Sequence, residues 1–182
     1  GLASATIAAC AGFAALSGSS VASAVTMGRV SLPEMKRYNY DDRLATGCIA
    51  AGGTLGILIP PSTGFVIYAI LTEESIGRLF LAGILPGLLL TSLFIVAIVI
   101  QTRINKDLGP PGPRLPLAEK FRATGKAGAM IGIVFVTIGG IYSGFFTAGE
   151  AAGVGAFLAF VLAILRRAVT LDSMTSTLLQ TV

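Results

Sequence analysis

The sequence predicts an all-α membrane protein, and two features of its composition support that class. Hydrophobic residues make up 54% of the chain and charged residues 12%, whereas a soluble domain of this size carries about 25% charged residues. The mean hydropathy is +0.84, and the apolar residues are gathered into long segments separated by polar breaks. The chain is therefore predicted to lie in a lipid bilayer.

The residue types present exclude several classes of site. The chain has no His and only two Cys, Cys10 and Cys48, both within apolar segments. A zinc site, any other transition-metal site, a haem site and a Cys/His nucleophile pair are therefore not expected, and the cysteines are predicted to be small buried apolar residues. The net charge is +4, but the basic residues lie in loops between apolar segments, a topological pattern that requires no nucleic acid.

The first element is predicted to be a re-entrant helical hairpin. Two short apolar segments, residues 2–16 and 21–30, flank the polar sequence "SGSS" at residues 17–20. A full crossing needs about 20 residues for a ~30 Å hydrocarbon core, so each segment is about half a crossing. Two half-length helices joined by a small polar tip would enter and leave the membrane on one side. The alternative is one long kinked crossing.

The second element is predicted to be a broken transmembrane helix over residues 44–71. As a continuous helix it would span ~42 Å, too long for one straight crossing and too short for two. Glycine and proline cost about 1 and 3 kcal/mol in a helix interior. We therefore expect a break at "GGTLG", residues 52–56, and a bend at "IPPS", residues 59–62.

The remaining elements are predicted to be further membrane helices and a connector. Residues 76–101 form the clearest spanning helix, with a kink expected at "ILPG" near its start. Residues 103–126 contain four prolines and eight charged residues and are predicted to be a solvated connector. Two more membrane helices, 127–142 and 148–165, are expected, followed by a surface helix with Thr170 or Asp172 as its cap.

The charge distribution favours the hairpin over a kinked crossing. If the loop after the hairpin is cytoplasmic, eleven of the thirteen basic residues fall in cytoplasmic loops, as the positive-inside rule requires. A true crossing would place the basic residues at 36, 37 and 43 opposite the longer basic loop. The eleven residues are Lys36, Arg37, Arg43, Arg103, Lys106, Arg114, Lys120, Arg122, Lys126, Arg166 and Arg167; Arg29 lies near the same face, and Arg78, Glu73, Glu74 and Glu150 lie near the outer one.

The two polar interruptions predict a binding site for a hard monovalent cation. Backbone polar groups freed at membrane depth cost several kcal/mol each unless a ligand or another group satisfies them, and transporters use interrupted helices in this way. Hydroxyl and carbonyl oxygens suit such a cation, and the absence of a carboxylate at either break argues against a divalent ion or a proton relay. The candidate ligands are Ser17, Gly18, Ser19, Ser20, Gly52, Gly53, Thr54 and Gly56.

Each of these sequences also has a simpler interpretation. "SGSS" could be a plain loop outside the membrane, and "GGTLG" could be a small-residue face for close helix packing. "IPPS" alone is more often a kink than a site. The occurrence of two polar, glycine-containing breaks within about 35 residues favours the transporter interpretation.

The sequence resembles the large membrane subunit, or DctM-like M subunit, of the tripartite ATP-independent periplasmic (TRAP) transporters. The stretches that carry the resemblance are "LSGSSVASAVTMG", "LPEMKRYNYDDRLATGCIAAGGTLGILIPPS", "SIGRLFLAGILPG" and "GGIYSGFFTAGEAAGVGAF", which follow the family's order over most of the chain. Family members commonly have "FTPTEAA" where this chain has "FTAGEAA", a departure at Ala148 and Gly149 that touches no proposed ligand.

The resemblance implies a specific transport system. It implies a bacterial inner-membrane permease built from two inverted repeats, with Na+ driving an elevator-like movement and no cofactor beyond that ion. The substrate would be an organic acid of the C4-dicarboxylate or sialic-acid type, delivered by a periplasmic binding protein, and a small four-helix membrane subunit would brace the permease. The cation site would then be a Na+ site bordered by Pro60, Pro61 and Ser62.

The resemblance also implies a division of the chain, which we expect to be a piece of a longer polypeptide holding one half of the inverted-repeat fold. Residues 1–102 would form the transport region of the first repeat, 103–126 a cytoplasmic connector, and 127–182 the helices that lead to the second repeat. The competing functions are a dicarboxylate or citrate carrier that works without a binding protein and a membrane scaffold subunit without an ion site. No constellation for an intramembrane enzyme is visible.

Overall fold

The computed structural model describes the backbone of residues 1–110 and 117–165, with the side chains of residues 1–110, 128 and 131–165. Within these ranges every regular element is helical, and the residues fall into two compact units, 1–110 and 117–165. Among the described residues, three segments are long and apolar enough to cross a membrane: Asp42–Thr72, Ile76–Ile104 and Ala148–Leu165. The all-α membrane class is confirmed. The helices are α1 Leu2–Ser17, α2 Ser20–Arg37, α3 Asp42–Leu58, α4 Thr63–Thr72, α5 Ile76–Ile104, α6 Leu117–Tyr142 and α7 Ala148–Leu165.

The polar tip between α1 and α2 is a tight turn at Gly18 and Ser19. Gly18 ends α1 in the left-handed conformation, with φ 60°, and its N–H donates to the carbonyl of Ala14 at 2.9 Å. Ser19 begins α2, and its hydroxyl accepts a hydrogen bond from the Ala22 N–H at 3.3 Å. Glycine suits the first position because it adopts positive φ without steric cost, and serine is a preferred helix cap.

Helix α2 is longer than predicted. It continues past Val30 to Arg37 and includes Pro33, so the expected end near residue 30 is wrong. The buried positions recur every four residues along the whole helix, at Ser23, Met27, Ser31 and Met35. This spacing places them on one helix face, and two of the four are serines, which a search for apolar runs overlooks.

The start of α1, the end of α2 and the end of α5 lie close together in the first unit. The Leu2 N–H donates to the Tyr40 hydroxyl at 2.9 Å. The Asp41 N–H, which follows α2, donates to the Leu108 carbonyl at 3.1 Å. Gly87 of α5 lies beside the α3–α4 interruption, where a Cβ on it would be 3.0 Å from Cγ1 of Ile59. At 1.5 Å per residue, Gly87 is about 26 Å from Ile104 along α5. The hairpin tip contacts the same interruption and therefore lies about as far from that end of α5. A re-entrant hairpin requires this arrangement, and its re-entry into the membrane stays a prediction.

The broken helix is interrupted at a different place from the one predicted. Helix α3 runs without a break through residues 52–56 and ends at Leu58, and α4 begins at Thr63. The predicted break at "GGTLG" is wrong, and "IPPS", predicted to be only a bend, is the interruption. Glycines weaken a helix but keep their N–H groups, whereas Pro60 and Pro61 have no N–H to donate.

The later elements also differ in their bounds. Helix α5 extends to Ile104 and continues through Pro86. The segment predicted to be a connector contains a 3₁₀ turn at Lys106–Leu108 and the beginning of α6 at Leu117, where only a connector was expected up to residue 126. Residues 111–116 lie outside the described ranges, as does the predicted surface helix over 166–182 with Thr170 and Asp172.

The start of α7 is fixed by a reciprocal capping arrangement. The N–H and hydroxyl of Thr147 donate to Oε2 of Glu150 at 2.8 and 2.9 Å, and the Thr147 hydroxyl oxygen accepts from the Glu150 N–H at 3.3 Å. This is a capping box, whose signature Thr-x-x-Glu is visible in "TAGE". Glu150, predicted to lie in an outer turn, therefore also has a structural role.

Replacing Thr147 with Ala is expected to destabilise α7 by about 1 kcal/mol, the usual cost of removing a capping hydroxyl. The thermal unfolding midpoint of the purified protein in detergent measures the effect. Ser143→Ala is the control, because its exposed hydroxyl donates to the Gly139 carbonyl in the last turn of α6 at 2.8 Å. A shift no larger than that of the control would contradict the capping assignment.

Candidate functional site

The glycines of α3 bring that helix into close contact with the hairpin. A Cβ added to Gly52 would lie 2.6 Å from Sγ of Cys10, one on Gly53 would lie 2.8 Å from Cβ of Ala24, and one on Gly56 would lie 2.7 Å from the carbonyl carbon of Ser19. No real side chain fits at these distances. The glycines of "GGTLG" therefore form a small-residue face for close helix packing, and the helix is not broken there. Through Gly56 this face contacts the hairpin tip at Ser19 and Ser20.

The buried face of α1 packs on α3 in the same region. Ile7, Cys10 and Ala14 of α1 are fully buried, and Cys48 of α3 is 4% exposed. The prediction that both cysteines are small buried residues is confirmed, and both are free thiols. The contact between α1 and α3 is therefore made by small and apolar side chains, and it carries none of the polar groups of the tip.

The hairpin tip binds directly to the interruption between α3 and α4. The carbonyl oxygen of Gly18 accepts hydrogen bonds from the backbone N–H and the hydroxyl of Thr63, at 3.1 and 2.5 Å. A Cβ on Gly18 would lie 2.6 Å from the carbonyl oxygen of Pro61. The two polar interruptions do therefore lie against each other, but the partner of the tip is the segment 59–63 together with Gly56, and not a break at residues 52–56.

The serine hydroxyls form local hydrogen bonds around this contact. The hydroxyls of Ser17 and Ser23 share a hydrogen bond of 2.9 Å, and Ser17 also donates to the Ser19 carbonyl at 3.3 Å. Ser62 is buried and donates to the Ile57 carbonyl at 2.5 Å. Ser20 is the half-buried first residue of α2. The hydroxyls of Ser17, Ser20 and Ser62 belong to residues at the two interruptions, and Ser23 lies one turn into α2.

Thr54 is not part of this cluster. It lies on the exposed face of α3, and its hydroxyl donates to the Ala51 carbonyl of its own helix at 2.6 Å. Its neighbours in sequence, Gly53 and Leu55, are buried, which places Thr54 on a different face of the helix from the hairpin contact. The structure therefore does not bring Thr54 to the tip with the other predicted ligands.

The interruption leaves backbone carbonyl groups without helical donors. A continuing helix would bring the N–H of residue 60 to the carbonyl of Gly56, but Pro60 has no N–H. The N–H of Thr63 would similarly pair with Ile59, but it donates to Gly18. The carbonyl oxygens of Gly56 and Ile59 thus lose the partners that an intact helix supplies, and inside a membrane such groups need another partner.

The chemistry of this site is that of neutral oxygen atoms. Residues 17–20 and 56–63 carry no charged side chain, and they combine serine hydroxyls with freed carbonyl groups. Such a ligand set fits a hard cation of low charge. Thr63 and Ser23 were not predicted from the sequence, because neither lies within "SGSS", "GGTLG" or "IPPS". Their only signals in the sequence are a hydroxyl residue directly after "IPPS", which is Thr63, and another one turn into α2, which is Ser23.

Comparisons with known proteins bear on this arrangement. The family model described as "Tripartite ATP-independent periplasmic transporter, DctM component" matches residues 1–182. The chain is similar to the C4-dicarboxylate TRAP transporter large permease protein DctM of Pseudomonas aeruginosa, with 43% identity over 181 residues, 99% of this chain and 42% of the relative.

Two further relatives carry other names. The chain is 39% identical to the ectoine/5-hydroxyectoine TRAP transporter large permease protein UehC of Ruegeria pomeroyi, over 91% of this chain and 38% of the relative. It is 38% identical to the sialic acid TRAP transporter large permease protein SiaM of Vibrio cholerae, over 82% of this chain and 35% of the relative. The chain thus spans less than half the length of these curated relatives.

Proposed function

The chain belongs to the DctM family of tripartite ATP-independent periplasmic transporters, a family of membrane transport components rather than enzymes, and on that premise we propose that it forms part of the large permease subunit of a Na+-coupled organic-acid importer. The observation that supports the coupling ion most directly is the contact between the hairpin tip and the α3–α4 interruption within the span. Neutral oxygens from both elements converge there without a carboxylate.

The ligands proposed for Na+ come from the elements that the structure brings together. They are the tip residues Ser17, Ser19 and Ser20 and the freed carbonyl of Gly56, with Pro60, Pro61 and Ser62 at the border. Gly18, Gly52 and Gly53 act by permitting close approach of the backbones, as their Cβ distances indicate. A monovalent ion needs no buried anionic ligand, because several oxygen dipoles can replace its hydration shell.

The orientation proposed for the chain follows from its basic residues. Lys36, Arg37 and Arg43 flank the turn that contacts Leu108, and Arg103 and Lys106 lie at the adjoining end of α5. Arg78 lies near the other end of α5, where it pairs with Glu74 at 3.4 Å. By the positive-inside rule the first of these ends faces the cytoplasm of the inner membrane.

The substrate and partners proposed here rest on the family and on the names of the relatives. Those relatives are named for C4-dicarboxylates, ectoines and sialic acid, and we propose an organic acid of the dicarboxylate or sialic-acid type for this chain. A periplasmic binding protein and a small four-helix membrane subunit would complete the tripartite system. Transport would proceed by an elevator-like movement of residues 1–102.

Replacing Ser17 with Ala in the complete permease subunit is expected to raise the Na+ concentration for half-maximal binding about tenfold, since loss of one oxygen ligand at about 1.4 kcal/mol is a factor of ten. Binding is measured with radiolabelled Na+ on purified protein, with K+ keeping the ionic strength constant. Ser23→Ala is the matched control, because it breaks the same Ser17–Ser23 hydrogen bond but removes no tip hydroxyl.

The two variants separate a ligand role from a packing role. Equal weakening by Ser17→Ala and Ser23→Ala would show that only their mutual hydrogen bond matters. Unmodified protein that binds Na+ no better than K+ would refute the proposed coupling ion altogether.

A further inference from the structure

We propose that Thr63 is a positioning residue that holds the hairpin tip closed on the α3–α4 interruption, and that the affinity for the coupling ion depends on it although it does not bind the ion. This inference rests on the function proposed above. It concerns the hydrogen-bonded contact between Gly18 and Thr63, called the joint below. The two residues are separated by 45 residues in sequence.

The joint uses the full hydrogen-bonding capacity of one carbonyl group. A carbonyl oxygen has two lone pairs, and Thr63 supplies two donors to Gly18, its backbone N–H at 3.1 Å and its hydroxyl at 2.5 Å. The carbonyl of Gly18 is therefore fully occupied by protein groups. A cation at the tip must take its oxygens from neighbouring residues.

The same contact provides the cap of α4. Ser62 is the residue before the first turn of α4, but its side chain makes no capping hydrogen bond because its hydroxyl donates back to Ile57. The N–H of Thr63, one of the donors that have no partner within the helix, is satisfied instead by the carbonyl of Gly18. The tip of one element thus completes the helix end of another.

The geometry connects this joint to the proposed ion ligands. Ser17 and Ser19 adjoin Gly18 in the chain, and a Cβ on Gly18 would lie 2.6 Å from the Pro61 carbonyl oxygen. Any displacement of Gly18 from Thr63 moves both serines away from the interruption. The proposed ligands on the hairpin tip therefore stay next to those on the interruption only while the joint is closed.

The test replaces the Thr63 hydroxyl without changing the shape of the side chain. Thr63→Val removes one of the two donors and keeps the backbone N–H, and Thr63→Ser restores the hydroxyl. Thr63 is exposed in this chain, so valine displaces no packed neighbour. Thr91→Val is the matched control, because the Thr91 hydroxyl donates to the Gly87 carbonyl of its own helix at 2.7 Å.

We expect Thr63→Val to raise the Na+ concentration for half-maximal uptake by the complete permease in proteoliposomes about fivefold to tenfold, the effect of losing one hydrogen bond. The maximal rate at saturating Na+ should stay within about twofold, because the joint closes again once the ion is bound. Thr63→Ser and Thr91→Val should both retain the original Na+ dependence. An unchanged half-maximal concentration in Thr63→Val, or a failure of Thr63→Ser to restore it, would overturn the inference.

A second measurement keeps the joint testable apart from the ion. In Na+-free buffer, amide hydrogen exchange in the first turn of α4 should accelerate in Thr63→Val and not in Thr91→Val. Unchanged exchange would refute the joint itself. Accelerated exchange together with uptake that does not depend on Na+ in the unmodified protein would refute the coupling ion proposed above and leave the joint in place.

Discussion

Substitution of Gly56 with alanine is expected to reduce Na+-dependent uptake by the complete permease at least about tenfold. A Cβ at this position would lie 2.7 Å from the carbonyl carbon and oxygen of Ser19 and 2.8 Å from the Ser20 nitrogen. All three are backbone atoms, so no side-chain rotation relieves the overlap and the tip must move away from α3. Overpacking of this kind costs about 1–3 kcal/mol, and the displaced tip no longer meets the interruption.

Local helix propensity predicts the opposite sign, which makes this substitution informative. Alanine is favoured over glycine in a helix interior by about 1 kcal/mol. Gly47 lies on the same helix with no atom within 4 Å of its Cβ position, so Gly47→Ala should leave uptake unchanged and raise the thermal unfolding midpoint slightly. Uptake by Gly56→Ala equal to that of Gly47→Ala would show that the close contact at the tip is dispensable.

Substitution of Gly18 with alanine is expected to have a comparable or larger effect. Its φ of 60° lies in the left-handed region, which costs an L-residue roughly 1–2 kcal/mol, and its Cβ would lie 2.6 Å from the Pro61 carbonyl oxygen. Alanine at this position therefore disfavours both the left-handed turn and the close contact with the interruption. We expect Na+ binding to weaken more than tenfold, at about 1.4 kcal/mol per factor of ten, as measured with radiolabelled Na+.

The conformational part of this effect can be measured separately. Gly144 has a φ of 75° and no atom within 4 Å of its Cβ position, so Gly144→Ala carries the backbone cost without the clash. It should lower the unfolding midpoint modestly and leave Na+ affinity unchanged. If Gly18→Ala also retained its Na+ affinity, contact of the tip with Pro61 would not contribute to the site.

The hairpin could be predicted from sequence because its signal is local. A polar tip interrupts an apolar run after about half a crossing, and serine and glycine at residues 17–20 are suited to a turn and a helix cap. The end of α2 could not be predicted in the same way, because its buried face includes Ser23 and Ser31. Small hydroxyl residues can pack inside a helical bundle, and apolar runs do not reveal them.

The position of the break shows that helix propensity alone does not predict where a helix ends. Both "GGTLG" and "IPPS" contain poor helix formers, but only prolines remove the N–H donor on which the helix depends. The glycines keep their donors, and their lack of a side chain is used in packing against Cys10, Ala24 and Ser19. That second use depends on which helix lies opposite, which the local sequence does not specify.

The contribution of Thr63 could not be predicted because its partner is distant in the chain. Its hydroxyl has no special neighbour in sequence, and only the fold brings Gly18 to it. The candidate cation site was therefore predicted as two separate groups of oxygens, with one group misplaced along α3. The charge pattern, by contrast, predicted that the loop after the hairpin and the segment after α5 lie on the same side. The contact between Asp41 and Leu108 agrees with that prediction.

The completion of α4 by a carbonyl from the hairpin has a consequence for biogenesis. Gly18 leaves the ribosome 45 residues ahead of Thr63, and at synthesis rates of about 5–20 residues per second roughly 2–9 s separate the two. During that interval the carbonyl of Gly18 lacks the two donors that Thr63 supplies, and an unpaired carbonyl is costly in lipid. Insertion of the first hairpin should therefore wait in an aqueous or translocon environment until Thr63, the first residue of α4, has followed it.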